Sequence, residues 1–203
     1  MKFILAKKIG MSQLFDEKGN VIPVTWVEAG PCFVTQIKTE DKDGYWAVQV
    51  GFEKKKKNIK KTEKGKEYKY LKEFRGSKEE VEKFKVGQKI DVSIFNEGDI
   101  VKVSGKSTGK GFQGVVKRWG FAGAPKTHGT KHTHRAPGAI GSAWPQRVWK
   151  GKKMPGRMGG ERVTIKNLEI VKIEKDKNLM AIKGAVPGKR GNLLEIRAEE
   201  PKK

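Results

Sequence analysis

The chain has 203 residues, with 45 Lys and Arg against 23 Asp and Glu, a formal net charge of +22 and a pI of about 10.0. That length suits one domain, or one domain with insertions. The single cysteine, Cys32, excludes an internal disulfide framework and points to a reducing compartment. No apolar run approaches the roughly 18 residues of a membrane span, and the run Phe3 to Ala6 before Lys7 and Lys8 is too short for a signal-peptide core, so a soluble cytosolic protein is expected.

Taken in order, the chain reads mainly as strands. "FILAKKIG" and "MSQLF" lead into a turn at Asp16-Glu17-Lys18-Gly19-Asn20, followed by the β-branched run "VIPVTWVEA". "CFVTQIKT" and "WAVQVGF" flank Asp41-Lys42-Asp43-Gly44, which predicts a hairpin turn because Gly supplies positive φ. Lys54 to Lys57 open a lysine-rich segment reaching about Lys72, readable as a solvated loop or as an RNA contact. "SKEEVEKF" predicts a helix. Ser77 stands at the cap, Glu80 at the capping-box position, and Val81 and Phe84 lie three apart on one face. "QKIDVSIF" and "DIVKVSG" resume the strand pattern, completed near the end by "RVTIKNLEIVKIE", "LMAIKGAV" and "LLEIRA", with turns at Asp176-Lys177-Asn178 and Pro187 to Asn192. About eight short strands joined by tight turns predict a closed antiparallel barrel or a sandwich.

Between Asp99 and Glu161 there is no carboxylate, while Ile100 to Gly160 holds thirteen Lys or Arg, all three histidines and thirteen of the 25 glycines. A soluble surface normally mixes both signs, because one-sided charge repels itself. The rest of the chain is basic but mixed. A long one-signed run with too few apolar residues to build its own core calls for a polyanion, and nucleic acid is the candidate. Strand-like segments flank the run, so it is an excursion that leaves the sheet and returns. Ordering such a Gly-rich chain costs roughly 1–2 kcal/mol per residue. RNA contact has to offset that cost, so the free stretch is expected to be disordered.

Its motifs favour binding over catalysis. Gly109, Gly111 and Gly114 match G-x-G-x-x-G, but a dinucleotide site also needs a following helix and an acid about twenty residues on, and no acid exists there. Gly105-Lys106-Ser107-Thr108 lacks the upstream glycine of a P-loop, since position 100 is Ile100. His128, His132 and His134 have no neighbouring Cys or carboxylate and sit among Lys126, Lys131 and Arg135, which disfavours a metal; they are read as hydrogen-bonding or stacking on RNA. Trp119, beside Val115 and Phe121, is read as packing on the barrel. Trp144, between Gly141 and Pro145, is read as an RNA contact.

The residues expected to hold RNA begin with Lys106, Lys110, Lys117 and Arg118. They continue with Lys126, His128, Lys131, His132, His134 and Arg135, and end with Trp144, Arg147, Lys150, Lys152, Lys153 and Arg157. No catalytic residue, cofactor, metal or small-molecule substrate is expected. A free-standing RNA-binding regulator and a nucleotide-binding enzyme built on Gly109, Gly111 and Gly114 remain as alternatives.

The run "GKSTGKGFQGVVKRWGFAGAPKTHGTKHTHRAPGAIG" resembles the bacterial large-subunit ribosomal proteins of the L-three family, and "KKIGMSQLFDEKGNVIPVT", "VWKGKKMPGRMGGERVT" and "NLMAIKGAVPG" extend the likeness along the chain. The resemblance implies a mainly β fold: a six-stranded Greek-key β-barrel of translation-protein type, with a long irregular extension loop and a small inserted helical segment. It implies one domain over residues 1–203, a lysine-rich insertion with a short helix at 53–87 and a basic Gly-rich extension at 106–160. It further implies a primary binder near the 3′ end of 23S rRNA that nucleates subunit assembly. Its extension would reach toward the peptidyl transferase centre, with Trp144 near the tip and the L-fourteen and L-nineteen proteins as neighbours. Two positions depart from the family pattern. Lys102 stands where many members carry an acid, and Ala143 stands where some carry a methylated glutamine; Gln146 is close but not aligned, so that modification is not expected.

Overall fold

A computed structural model describes residues 1–199; the last four residues of the expected domain lie outside the described range. Twelve strands run through the described residues: β1 (Phe3–Phe15), β2 (Val21–Ala29), β3 (Cys32–Lys38), β4 (Ala47–Lys54), β5 (Tyr68–Arg75), β6 (Lys89–Ile90), β7 (Ile100–Lys106), β8 (Gly111–Gln113), β9 (Gly156–Met158), β10 (Arg162–Glu174), β11 (Leu179–Lys183) and β12 (Leu193–Ala198). Three α-helices are short: α1 (Glu40–Asp43), α2 (Lys78–Val81) and α3 (Val115–Trp119).

The chain divides into two compact units, one of Met1–Lys106 with the chain from Arg162 onward, the other of Ser107–Glu161. In the first unit six strands pair antiparallel in the order β1-β12-β7-β10-β11-β2, and β2 pairs again with β1, closing the ring. Alternation places Val101 and Val103 of β7, Leu194 and Ile196 of β12, and Met180 and Ile182 of β11 inside. A second sheet, ordered β5-β4-β3-β6, is built from the residues between β2 and β7.

β1 explains how the two sheets share a core. Phe3, Ile4, Leu5 and Ala6 are all buried, so alternation fails there and the strand is covered on both faces. Phe3 stacks on Phe74 of β5 with ring centroids 4.2 Å apart and meets Phe84 at 5.3 Å. Truncating such a buried ring costs about 3–5 kcal/mol. Cys32 lies in the same core, and burial pushes its thiol pKa up to about 12. Gly51 of β4 is required by packing, because a Cβ there would run into the ring of Tyr68.

Local readings hold in some places and fail in others. Glu80 accepts the backbone N–H of Ser77 at 3.2 Å and Val81 is buried, as the helix signal implied, but α2 ends at Val81. Asp41-Lys42-Asp43-Gly44 does join an antiparallel pair, β3 and β4, but through the short helix α1, closed by Gly44 at φ 76°. "QKIDVSIF" keeps only Lys89–Ile90 as strand, and Val92–Ile94 turn as a 3-10 helix. The lysine-rich run is not loop throughout, since Tyr68–Arg75 forms β5; its Lys69, Lys72 and Arg75 conceal the alternation that buries Phe74.

Several cations of this unit have acidic partners. Lys7 and Lys69 reach Glu53 at 2.7 and 2.9 Å, Lys38 reaches Glu73 at 3.2 Å, and Lys72 and Arg162 reach Glu195 at 3.2 and 2.5 Å. Lys8 instead donates to the carbonyls of Val186 and Gly188 at 2.8 and 2.9 Å, and burial lowers its pKa.

Candidate nucleic-acid interface

The second unit is tied together where it begins and ends. Ser107 N–H donates to the Glu161 carbonyl at 2.8 Å, Gly160 N–H to Ser107 at 3.2 Å and Lys110 N–H to Met158 at 2.9 Å. β8 and β9 then pair in register, Gly111 with Met158 and Gln113 with Gly156. Gly159, at φ 75°, sits against the Thr108 carbonyl where a Cβ would collide. The helix α3 follows, with Val115 fully buried and Gly120 ending it in the left-handed conformation at φ 74°. Arg118 and the Trp119 indole N–H both donate to the Met154 carbonyl at 2.9 Å.

This base corrects two sequence expectations. The stretch is not irregular throughout: it carries a ladder and a helix over one buried valine. Trp119 finds its polar partner inside the extension, with the Arg118 guanidinium 4.9 Å and the Lys153 amine 5.6 Å from its ring. α3 has five residues, which is short for the helix a dinucleotide fold places after its glycines. A cleft beside it is lined by Ser107, Thr108, Lys110, Arg118, Trp119, Met158, Gly159 and Glu161.

From Gly120 to Lys153 the backbone is irregular and held by short-range bonds. Ala124 N–H donates to the His134 carbonyl at 3.0 Å, the His134 ring lies 3.2 Å from the Pro125 carbonyl, and Lys152 N–H donates to Trp149 at 3.3 Å. His128 and Gln146 take positive φ, 57° each. Among the described residues no group of three His, Cys, Asp or Glu side chains converges.

Of the sixteen residues expected to hold RNA, Lys106 ends β7 in the first unit and the others belong to the second. Arg118 and His134 are half-buried. The rest are exposed: Lys106, Lys110, Lys117, Lys126, His128, Lys131, His132, Arg135, Trp144, Arg147, Lys150, Lys152, Lys153 and Arg157. They are spread along the excursion rather than gathered at one point. Among the described residues none of these cations is bridged to a carboxylate, in contrast to the paired lysines of the first unit. An unpaired cation keeps its full charge for a phosphate; a bridged one has to give up its partner first.

Aromatic surface lies among these charges. Trp144 is 80% exposed and Trp149 62%, with Arg147 5.8 Å from the Trp149 ring. Phe112 of β8 is not singled out by charge or spacing, yet it is 76% exposed, the signal being a lone aromatic inside a glycine run. A water-facing ring of this kind can stack on an unpaired base.

A family model described as Ribosomal protein L3 matches residues 46–181. The chain belongs to the ribosomal protein L3 family. It is similar to proteins named large ribosomal subunit protein uL3 along nearly its whole length. That of Thermosipho africanus is 53% identical over 205 residues, covering 97% of this chain and 98% of the relative. That of Oceanobacillus iheyensis is 52% identical with 96% of each covered, and that of Dehalococcoides mccartyi 50% identical with 96% of each covered. The L3 family is a family of structural ribosomal proteins rather than enzymes.

Proposed function

We propose that this chain is a non-catalytic structural constituent of the large ribosomal subunit, working in the cytoplasm in translation, and that it binds 23S rRNA through the excursion Ser107–Glu161. The observation that carries this reading is the set of exposed extension cations without acidic partners in a chain of the L3 family. Lys and Arg neutralise phosphates and Trp144 stacks on or wedges against an unpaired base. His128, His132 and His134 add hydrogen-bonding and stacking contacts.

In this reading the six paired strands are a Greek-key barrel of translation-protein type on the RNA surface. The domain spans 1–203, with a lysine-rich insertion at 53–87 and the extension at 106–160. The chain is a primary binder near the 3′ end of 23S rRNA and helps nucleate subunit assembly. The extension reaches toward the peptidyl transferase centre, and the L-fourteen and L-nineteen proteins are neighbours. Support comes from the family and from the charge segregation. Co-sedimentation with large subunits through a high-salt wash is the test. A chain that washes off into the free pool is a free-standing RNA binder and overturns the reading.

A further inference from the structure

β1 continues past the ring. β12 pairs with it only from Phe3 to Lys7, whereas β2 follows it to Phe15. Loop residues close the outer side as far as Lys8, which exchanges bonds with Asn192 at 3.0 Å and Gly191 at 2.7 Å, and Arg190 lies over Gly10. From Met11 to Phe15 the outer edge has no strand beside it among the described residues.

The phase of the ladder says which backbone groups face that edge. Asp16 N–H donates to the Asn20 carbonyl at 3.0 Å, so alternation turns Leu14 and Ser12 toward β2 and Met11, Gln13 and Phe15 outward. Pro23, opposite Gln13, confirms the phase, because its carbonyl points away from β1 to accept Gly184 N–H at 2.8 Å. Three outward N–H and C=O pairs are thus open to a partner strand.

Apart from the bulge between Lys8 and Gly10, this edge carries none of the usual protection. Ile9, Gly10, Met11, Ser12, Gln13, Leu14 and Phe15 include no charge and no proline. β5 is also an edge strand, and it presents Lys69, Lys72 and Arg75. Charged edges resist pairing, and long uncharged apolar ones invite it. Met11, Phe15 and Val21 add an apolar rim, exposed by 54, 65 and 55%. From Ile9 to Pro23 one lysine faces two acids, Asp16 and Glu17, in a chain of net charge +22, so this ribbon does not attract phosphate.

We propose that the outer edge of β1, from Met11 to Phe15, receives an extended segment of a neighbouring ribosomal protein by strand addition, its apolar side chains covering Met11, Phe15 and Val21. The proposal rests on the placement of this chain in the large subunit. The experiment places a photo-crosslinking phenylalanine analogue at Phe15 of the full-length chain and recovers salt-washed large subunits. The expected adduct joins position 15 to one short segment of another ribosomal protein. Gln13→Pro removes an outward N–H without touching the β1–β2 ladder and should cut the adduct roughly tenfold. Met11→Lys, which charges the edge, should do the same, and the thermal transition of each free variant checks its fold. An adduct to RNA, to a second copy of this chain or to nothing, from chain that does co-sediment, overturns the proposal alone. Failure to co-sediment overturns the placement and the proposal with it.

Discussion

Replacing Lys150, Lys152 and Lys153 together by Gln tests whether the unpaired charge meets phosphate. All three are exposed, and among the described residues none is bridged to a carboxylate. For binding to duplex nucleic acid, log K falls against log salt with a slope of about −0.9 per phosphate neutralised. If about six extension cations contact phosphates, affinity falls on the order of a thousandfold between roughly 50 and 200 mM salt. Removing three contacts should flatten the slope by about 2.7. Lys69→Gln serves as the control: that lysine already sits 2.9 Å from Glu53, so its loss should leave the slope nearly unchanged. Filter binding to 23S-type RNA across a salt series reads both. A flat salt dependence in the unaltered protein, or an unchanged slope in the triple variant, would refute the assignment of the excursion as the RNA-binding surface.

Three further outcomes are expected. Trp144→Ala should shift the free protein's unfolding free energy by less than about 0.5 kcal/mol, because the ring is exposed, while altering the chemical reactivity of peptidyl-transferase nucleotides in subunits; a large drop in melting temperature would make Trp144 a core residue. Replacing Ser107 to Met158 by a short Gly-Ser linker should leave a cooperative thermal transition, since the first unit has its own core and the excursion leaves and returns side by side, Ser107 N–H donating to the Glu161 carbonyl; loss of the transition refutes this. Hydrogen bonds from Lys7 and Lys69 hold the Glu53 carboxyl below its usual range, so its contribution is present above the ordinary carboxylate pKa and is lost as pH falls through the depressed folded value. Glu53→Gln should therefore lower the denaturation midpoint at pH 7, with the difference closing in acid; a deficit that persists at pH 3 would point to lost packing instead.

Charge and local turn chemistry are linear properties, and they were legible in the residue order. The acid-free run, Ile100 to Gly160, contains all of the second unit but its last residue, Glu161, and begins seven residues before it because β7 also lacks acids. Gly120 closes α3 at positive φ, as glycine at a helix end does, and Ser77 with Glu80 announced α2. The exposure of Trp144 followed from the absence of any strand pattern around it.

What depends on long-range pairing was not legible. Tyr68–Arg75 became strand because β4 offers a partner and Phe74 finds Phe3 across the core, 71 positions earlier in the chain; its own lysines argued for loop. "QKIDVSIF" lost most of its strand because only Lys89 and Ile90 meet β3. Trp119 was assigned by its apolar neighbours in sequence, but a carbonyl 35 positions away, that of Met154, took its N–H. The open edge of β1 is of the same kind. The residues "MSQLF" read as a strand, yet only the point at which β12 stops pairing decides which of their backbone groups are left without a partner, since a hydrogen bond across a sheet depends on register and not on sequence distance.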